Sequence, residues 1–551
     1  MAKKKQNPDA KAVALPKRLE ALQAKRDVWE SHWQECADYV APRKADVTKH
    51  RTDGDKRTEL LFDATAQHAA ELLAASLHGM LTNPAPPWFS LRFRDAGLDT
   101  DDEAREWIEG ITNVMYGAFN RSNFAEAIHE LYHDLVVFGT GVLFIEQDPE
   151  GGIRFATRHI GECFVSEDGW GRGDTVYRKF TMPARAAAER FGYENLPQSM
   201  QKKLEKDAYE PTTIVHAVMP RDEENRDDYK LDAENKPYAS CYIDPEEKVL
   251  LSESGFDEFP YMVPRWKKSS YEIGYGRSPT MTALPDIKML NKMSEVTIRA
   301  AQKQIDPPLM LPDDGFMLPI RTVPGGLNFY RAGTRDRIEP LQIGANNPLG
   351  LQTEEQRRQA IRSAFYVDQL ILGQGPQMTA TEVVQRTEEK MRLLGPVLGR
   401  LQAELLQPLI GRVFALMTRQ KVFAPAPEFM TGMELDIEYV SPLAKAQRAA
   451  DAQSGAQLFA LLAPIAQIDQ SILDYVDRAG LAKFMIRALG IPAEMVRGER
   501  DVAQLREQRA EQQAQAQQMA EVSQVAEAAG NAAPALRAID ETEILGSLQA
   551  G

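Results

Sequence analysis

PTMTALPDIKMLNKMSEVTIRAAQKQ, residues 279–304, and TEEQRRQAIRSAF, residues 353–365, are the two stretches on which the reading of the chain turns. In the first, Leu284, Ile287, Leu290, Met293, Val296 and Ala300 recur three and four apart, the spacing of a helix with one apolar face. Asp306-Pro307-Pro308 cannot continue that helix, which is expected to end at Gln304. In the second, Thr353 with Gln356 three residues on is a capping box, and Ile361, Ala364 and Phe365 fall on one side.

Between these helices, residues 306 to 346 hold Pro-rich and Gly-rich bends with short β-type runs such as Leu327-Asn328-Phe329-Tyr330. After Leu370 comes a flexible loop, Gly373-Gln374-Gly375-Pro376. Thr379, with Glu382 at the capping-box position, then opens a long helix with Val383, Met391, Leu394, Leu398, Leu401, Leu405, Leu409, Val413 and Leu416 as its stripe, lasting to about Arg419. At about 1.5 Å per residue it would be roughly 60 Å long. Gly395-Pro396 and Pro408 are expected to kink it without ending it, because the stripe resumes beyond each. A small enzyme has little use for this layout; a large ring subunit does.

A chain of 551 residues is long enough for several cores. Its hydrophobic content of 43% and charged content of 26% are those of an ordinary folded protein. No apolar run reaches the roughly 18 residues of a membrane span, and Met1-Ala2-Lys3-Lys4-Lys5 is not followed by the apolar stretch of a signal peptide. Cys36, Cys163 and Cys241, odd in number and far apart, argue for a reducing compartment and against a disulfide framework or thiolate zinc site. The net charge of −15 disfavours a tight binder of the DNA backbone, which needs clustered Lys and Arg, yet permits a surface over which DNA slides without sticking.

In chain order, residues 1 to 14 are basic, small and polar and read as disordered. Leu15, Leu19, Leu22, Trp29, Trp33, Cys36 and Val40 describe an amphipathic helix broken only by Arg26 and ending before Pro42. A second helix spans about Asp63 to Leu81, and a short strand follows from Trp88 to Phe93. Thr100 and Glu103 cap a third helix with Trp107, Ile111, Val114 and Phe119 inward; Asn123 and Glu126 open a fourth that reaches Phe138.

The fourth helix contains His129-Glu130-Leu131-Tyr132-His133. His-Glu-x-x-His on a helix sets two imidazoles one turn apart to bind zinc, with the glutamate as general base. Here Val136 and Gly139 stand where a metzincin needs Gly and His, and the segment that follows is β rather than a helix bearing a glutamate ligand. Both histidines also lie away from the face shared by Ile128, Leu131, Leu135 and Phe138, so the residues read as two exposed histidines, with a zinc-dependent hydrolase as the alternative.

Residues 140 to 275 alternate as strands with an embedded helical stretch: Val142 to Gln147, Ile153 to Arg158, Glu162 to Ser166, Thr175 to Thr181, helices from Pro183 to Phe191 and Leu196 to Lys206, then Thr212 to Met219, Ser240 to Ile243 and Val249 to Leu251. Gly169-Trp170-Gly171-Arg172-Gly173 lacks phosphate-loop spacing and a following helix, so it reads as a hairpin turn. Asp222 to Lys236 is an acidic excursion, read as an exposed hairpin tip. Glu434 to Tyr439 alternates like a strand, residues 445 to 498 give short helices broken at Gly480, Gly490 and Pro492, and Gln504 to Glu527 has helix propensity without a sustained stripe.

Phe62-Asp63-Ala64-Thr65, Leu73-Ala74-Ala75-Ser76-Leu77-His78-Gly79-Met80-Leu81-Thr82 and Pro87-Trp88-Phe89, taken in order with Phe138-Gly139-Thr140-Gly141, Ala187-Ala188-Glu189-Arg190-Phe191-Gly192, Tyr275-Gly276-Arg277-Ser278-Pro279 and Met378-Thr379-Ala380-Thr381-Glu382-Val383, resemble the head-to-tail connector, or portal, family of short-tailed bacteriophages. The likeness covers most of residues 20 to 490. It implies a mixed α+β, largely helical portal fold of wing, stem, clip and crown, assembled as a twelve-subunit ring at one capsid vertex, through which double-stranded DNA is packaged and ejected. By that resemblance 1–275 is wing, 276–305 and 347–370 the two stem helices, 306–346 the clip, 371–378 the channel loop, 379–442 a long kinked wing helix and strand, 443–500 the crown, and 501–551 an Ala/Gln-rich end with no assigned place. It implies a terminase motor, tail adaptor and nozzle proteins, and major capsid and scaffolding proteins as partners, no membrane, no cofactor or metal, and a life in the virion after assembly in the host cytoplasm.

An acidic tube wall repels the duplex and keeps it centred. Gly373, Gln374, Gly375 and Gln377 form the expected channel loop, with the glutamines as neutral groups for transient phosphate contact. Lys303, Arg357, Arg358 and Arg362 are the candidate basic residues of the channel, or alternatively members of salt bridges between subunits. No G-x-x-x-x-G-K-[ST] motif occurs, so the energy for moving DNA is expected from a partner.

Overall fold

The structure is a computed structural model that describes residues 10–49, 51–52, 54–85, 87–94, 102–148, 151–221, 230, 232–310, 339–340, 348–370, 393–427, 435–439, 454–458, 460–462, 464, 477–489, 495–497 and 501–519. The expected loop at Gly373, Gln374, Gly375 and Gln377, the acidic excursion at 222–229 and the run at Leu327 lie outside them. The chain divides into two compact units, the first made of residues 1–90, 113–424 and 437–446 and the second of 91–112, 425–436 and 447–551.

In the first unit, helix α1 (Ala10–Val40) starts earlier than its apolar repeat suggests: residues 10–14, read above as disordered, are helical and continue through Pro16. The gain is burial, since Ala12, Leu15 and Leu19 lie against a sheet. That sheet has five antiparallel strands in the order β4 (Cys163–Glu167), β5 (Gly173–Pro183), β6 (Pro211–Pro220), β7 (Tyr238–Asp244) and β8 (Val249–Phe256). Because side chains alternate along a strand, Val215, Ala217, Ala239, Cys241 and Ile243 meet Leu15 and Leu19 on one face. Ile214, Tyr242 and Leu251 meet Ala187, Phe191, Leu196 and Met200 on the other, from α5 (Ala184–Phe191), the turn after it and α6 (Gln198–Lys206). The glycine-rich turn 169–173 is the β4–β5 hairpin, as its spacing indicates.

Arg26, the one break in the α1 stripe, is 3% exposed. Its guanidinium lies 3.7 Å from the centre of the Phe164 ring and donates to the carbonyls of Ile160, Gly161 and Cys163 and to Glu30. A polar residue in an apolar stripe is therefore a fully bonded tie to the edge of the sheet.

Helix α2 (Thr65–Leu81) packs on α4 (Phe124–Phe138). Between them in sequence, β1 (Phe89–Phe93) leads to α3 (Asp102–Arg121), on which Met115 is buried and Val114 points out, one position from the expected inward residue. Asn123 precedes α4 but makes no side-chain cap. Its amide is used instead on β3 (Ile153–Thr157), donating to the Phe155 carbonyl at 2.7 Å and accepting from the Phe155 N–H at 3.0 Å. With β2 (Leu143–Gln147) and β9 (Tyr261–Met262), β3 forms a three-stranded sheet in the order β3-β2-β9.

The glycines after α4 are sites of close backbone approach. Gly139 has φ +79°, and a Cβ there would lie 2.4 Å from the Gly276 carbonyl oxygen; one on Gly141 would strike Leu131. Thr140 accepts from the Gly276 N–H at 2.9 Å, and Ser278 and Thr280 donate to the Val137 and Val136 carbonyls. The segments 138–141 and 275–280 are thus stitched together, which fixes the root of the helix that follows.

In the second unit, Phe93 stacks on Trp107 with ring centres 6.3 Å apart. A helix at Arg478–Leu489 runs through Gly480, expected above to be a break, and residues 501–519 form an exposed helix, as their propensity suggests. A Cβ on Gly455 would touch Met485 and Leu481, so 454–458 packs closely on Arg478–Leu489.

Candidate functional site: the paired long helices and their anchors

Helix α7 (Pro279–Ile305) carries Ser278 as its N-cap, accepting from the Met281 N–H at 3.0 Å, with Pro279 in its first turn where no N–H is missed. Helix α8 (Pro348–Ala364) begins five residues before the expected start at Thr353, so Thr353 lies inside it rather than capping it. The two pack side by side and run in opposite directions, since Asp286 meets Arg357 near the root of α7 and Thr297 meets Glu354 farther along.

The α7 stripe divides in two. Leu284, Ile287 and Leu290 are buried, while Val296 is 55% and Ile305 85% exposed. Asn291 marks the division: its amide accepts from the N–H groups of Phe62 and Asp63 and donates to the Leu60 carbonyl, clamping α7 to the loop before α2. Beyond it Val296, Ile298 and Ile305, apolar side chains on more than one side of the helix, are left largely open by the described residues.

Three of the four expected basic residues are tied within the chain. Arg357 pairs with Asp286 at 2.7 Å, Arg358 with Asp63 at 3.1 Å and Glu354 at 3.3 Å, and Arg362 with Glu355 at 3.6 Å. Lys303 is exposed and has no ion pair among the described residues. Burial would raise the Asp63 carboxyl, but the bonds from Thr65 and the Arg358 guanidinium outweigh it and hold Asp63 below the ordinary aspartate range.

After α9 (Val367–Leu370), the last helix of this unit, α10, runs over residues 393–419. Leu394, Leu398, Leu401, Leu405, Leu409, Val413 and Leu416 are all buried, as the stripe predicts. Its irregularity is a π-helical segment, Gln402–Leu406, immediately before Pro408. Proline has no N–H to return to residue 404 and its ring crowds that carbonyl, so the turn widens. The widened turn carries Glu404, which accepts from the Arg265 Nε at 3.0 Å, its Nη2 at 2.8 Å and its backbone N–H at 3.0 Å. Arg265, 1% exposed, also binds Glu167 and the Gly171 carbonyl. Farther along, Arg412 is 3% exposed and donates to the carbonyls of Ile145 and Glu258. Burial, assisted by Arg419, brings its guanidinium down to about 10 despite Glu258 beside it.

Sequence reasoning passed over Arg265, Glu404, Arg412 and Asn291. Arg412 carried a signal, a charge three residues after Leu409 and four before Leu416 within the apolar face, as Arg26 does in α1. Arg265 carried none, because it lies in an irregular segment with no period to violate.

The His-Glu-x-x-His residues do not come together with a third ligand among the described residues. His129 is exposed, its ring 5.9 Å from that of His78, and Glu130 is occupied by Lys44 at 2.9 Å. His133 is half-buried rather than exposed, and burial lowers its affinity for a proton. Among the described residues no three His, Cys, Asp or Glu side chains come together to hold a metal ion, and no helix is long and apolar enough to cross a membrane.

Comparison with known proteins fits this architecture. The chain is 34% identical over 501 residues to the probable portal protein of Bordetella phage BPP-1, covering 89% of this chain and 90% of that one. It is 31% identical over 507 residues to the portal protein of Salmonella phage epsilon15, covering 90% and 91%. Among solved structures, a chain in the neck of an empty GTA particle computed with C6 symmetry is similar at a TM-score of 0.36 and 13% identity, over 75% of this chain and 91% of that one. The model of the family described as bacteriophage head to tail connecting protein matches residues 12–496. Stitched glycine segments, paired helices and a long helix with a π-helical turn thus sit in a chain matched over residues 12–496: it belongs to the bacteriophage head to tail connecting proteins, the portal family, a structural component of the phage particle.

Proposed function

We propose that copies of this chain close into a ring at one vertex of the capsid, twelve by similarity to the family, and that double-stranded DNA enters and leaves through the ring without being chemically altered. In this reading α7 and α8 are the stem, 306–346 the clip that meets the terminase motor and later the tail adaptor and nozzle, and 371–378 the channel loop, with Gln374 and Gln377 flanked by Gly373 and Gly375. Residues 1–275 and 379–442 form the wing, and 443–500 the crown, which faces the capsid interior with its major capsid and scaffolding proteins. The energy comes from the motor.

The observation that carries the ring is the divided stripe of α7. Beyond Asn291, Val296 on one side of the helix and Ile298 and Ile305 on the other are apolar side chains that the described residues leave exposed, on a helix whose root is held by Ser278 and Asn291. Neighbouring copies of α7 and α8 would cover them. Negative-stain images of the purified full-length chain are expected to show closed rings with a central hole about one duplex wide. A protein that stays monomeric under all assembly conditions, or forms only open filaments, overturns the reading.

A further inference from the structure

The most exposed large hydrophobic side chain of the described residues is Trp170, 91% exposed at the tip of the β4–β5 hairpin, and of the six tryptophans it alone is exposed. It does not hang on a loose loop. Asp168 accepts from the N–H groups of Trp170 and Arg172, both at 2.8 Å, the Gly171 N–H returns to the Asp168 carbonyl, and Arg265 donates to the Gly171 carbonyl from inside. Glu167, at the base of the tip, also accepts from the Lys268 Nζ at 2.6 Å and the Gly274 N–H at 2.7 Å. That pins a second loop beside the first, and on it Tyr271 and Ile273 are 77% and 65% exposed. Three bare apolar side chains on two hydrogen-bonded loops form a preorganised patch, the kind of surface that loses little entropy on docking.

The same unit carries a recess. It is a half-open hollow of about 690 Å³ with a mixed lining, in which Ala118, Ile153, Met417 and Val422 supply aliphatic groups and Arg121 and Arg154 stand among the polar residues. An indole fits such a recess by burying its rings against the aliphatic groups and presenting its electron-rich face to the arginines. Trp170 does not line the recess of its own chain. A knob and a recess built from different residues of one chain make a head-to-tail contact, the type that closes into rings.

We propose that Trp170 of one copy seats in the recess at Arg121, Arg154 and Val422 of the next. The proposal rests on the ring reading above and names one of its contacts. The test uses the full-length chain and sedimentation velocity across a concentration series. Trp170→Ala, at an exposed position, should fold with unchanged circular dichroism and raise the concentration needed for assembly by about 30-fold or more, the effect of losing a tryptophan anchor. Val422→Asp, at a 46% exposed recess position, should do the same. Mixed together, the two variants keep one good knob and one good recess and should form dimers without rings, whereas neither variant dimerises alone.

Rings formed by Trp170→Ala at the wild-type concentration overturn the contact and leave the ring reading standing. Open wild-type chains that still require Trp170 overturn closure and leave the contact. A monomeric wild type overturns both, and a mixture of folded variants that yields no dimer overturns the contact.

Discussion

Two of the ionic networks in this molecule differ in kind. Around Arg265, a guanidinium 1% exposed is bonded by Glu404, Glu167 and the Gly171 carbonyl, so that the widened turn of α10 and the β4–β5 hairpin are fixed to one point. Along the paired helices the ion pairs are half in water: Arg357 is 38% exposed against Asp286, and Arg362 43% against Glu355. A buried charge must be fully bonded or its element does not pack there, whereas an exposed pair can exchange partners at little cost. The first network ties distant elements to one buried point, and the second lies on the surface of two packed helices, where an exchange of partners costs little.

The largest effect should follow from breaking the buried network. Arg265→Met removes the positive partner, strands the largely buried Glu404 as an uncompensated charge and leaves Glu167 with Lys268 as its one remaining cation among the described residues. Chemical denaturation should show a loss of about 3–5 kcal/mol. A loss under 1 kcal/mol would mean that water reaches the network and that the contrast drawn above is false. Adding Glu404→Gln should recover part of the loss, a coupling that a double-mutant cycle reads directly.

How much of this was legible in advance follows the same contrast. Elements that obey a period were readable: the α10 stripe, the α4 face and the hairpins appear where Leu394 to Leu416, Ile128 to Phe138 and the 169–173 turn put them. What was hidden depends on contacts distant in sequence. Asn123 looks like a cap but is claimed by Phe155; Thr353 looks like a helix start but sits inside a helix that Pro348 begins. Val296 belongs to the stripe by spacing and is exposed, because the period of a helix does not say how far along it a neighbour extends. Lys303, Arg357, Arg358 and Arg362 lie on helices, as the spacing indicates, but the sequence did not reveal that Asp63 and Asp286, distant in the chain, would pair with two of them.

Asp63 is intermediate between the two networks, with a side chain 11% exposed and an Arg358 partner 27% exposed. Its carboxyl is held below the ordinary aspartate value of 3.8, despite burial, by Thr65 and Arg358. A carboxylate lowered by folding contributes stability that is complete above 3.8 and is lost as the pH falls from there through the lower folded value. Asp63→Asn should therefore cost about 1 kcal/mol at pH 7 and reduce the acid sensitivity of unfolding as the pH falls below the ordinary aspartate value of 3.8. An unchanged acid limb in Asp63→Asn would show that Asp63 is not held in this way, and that the clamp at the loop before α2 depends on Asn291 alone.

Arg357→Gln should matter less, at about 0.2–1 kcal/mol, with the difference vanishing in 1 M salt because both partners of the pair meet solvent. A cost of 2 kcal/mol that persists in salt would move this pair into the rigid class and remove its contrast with the Arg265 network.

Arg362 gives the smallest expected change in stability and the most informative one for function. Its only carboxylate partner among the described residues is Glu355, 3.6 Å away and itself 60% exposed, so Arg362→Gln should leave the unfolding midpoint within error. If the proposed channel is right, a side chain that contributes nothing measurable to its own fold would be free to exchange its carboxylate for a phosphate of the duplex. Rings of Arg362→Gln that assemble normally but retain less DNA, with the deficit shrinking as salt is raised, would tie the residue to the duplex. Normal retention at every salt concentration would show instead that the charge is surface decoration, and that contact with DNA has to be sought at Lys303 or in the loop around Gln374 and Gln377.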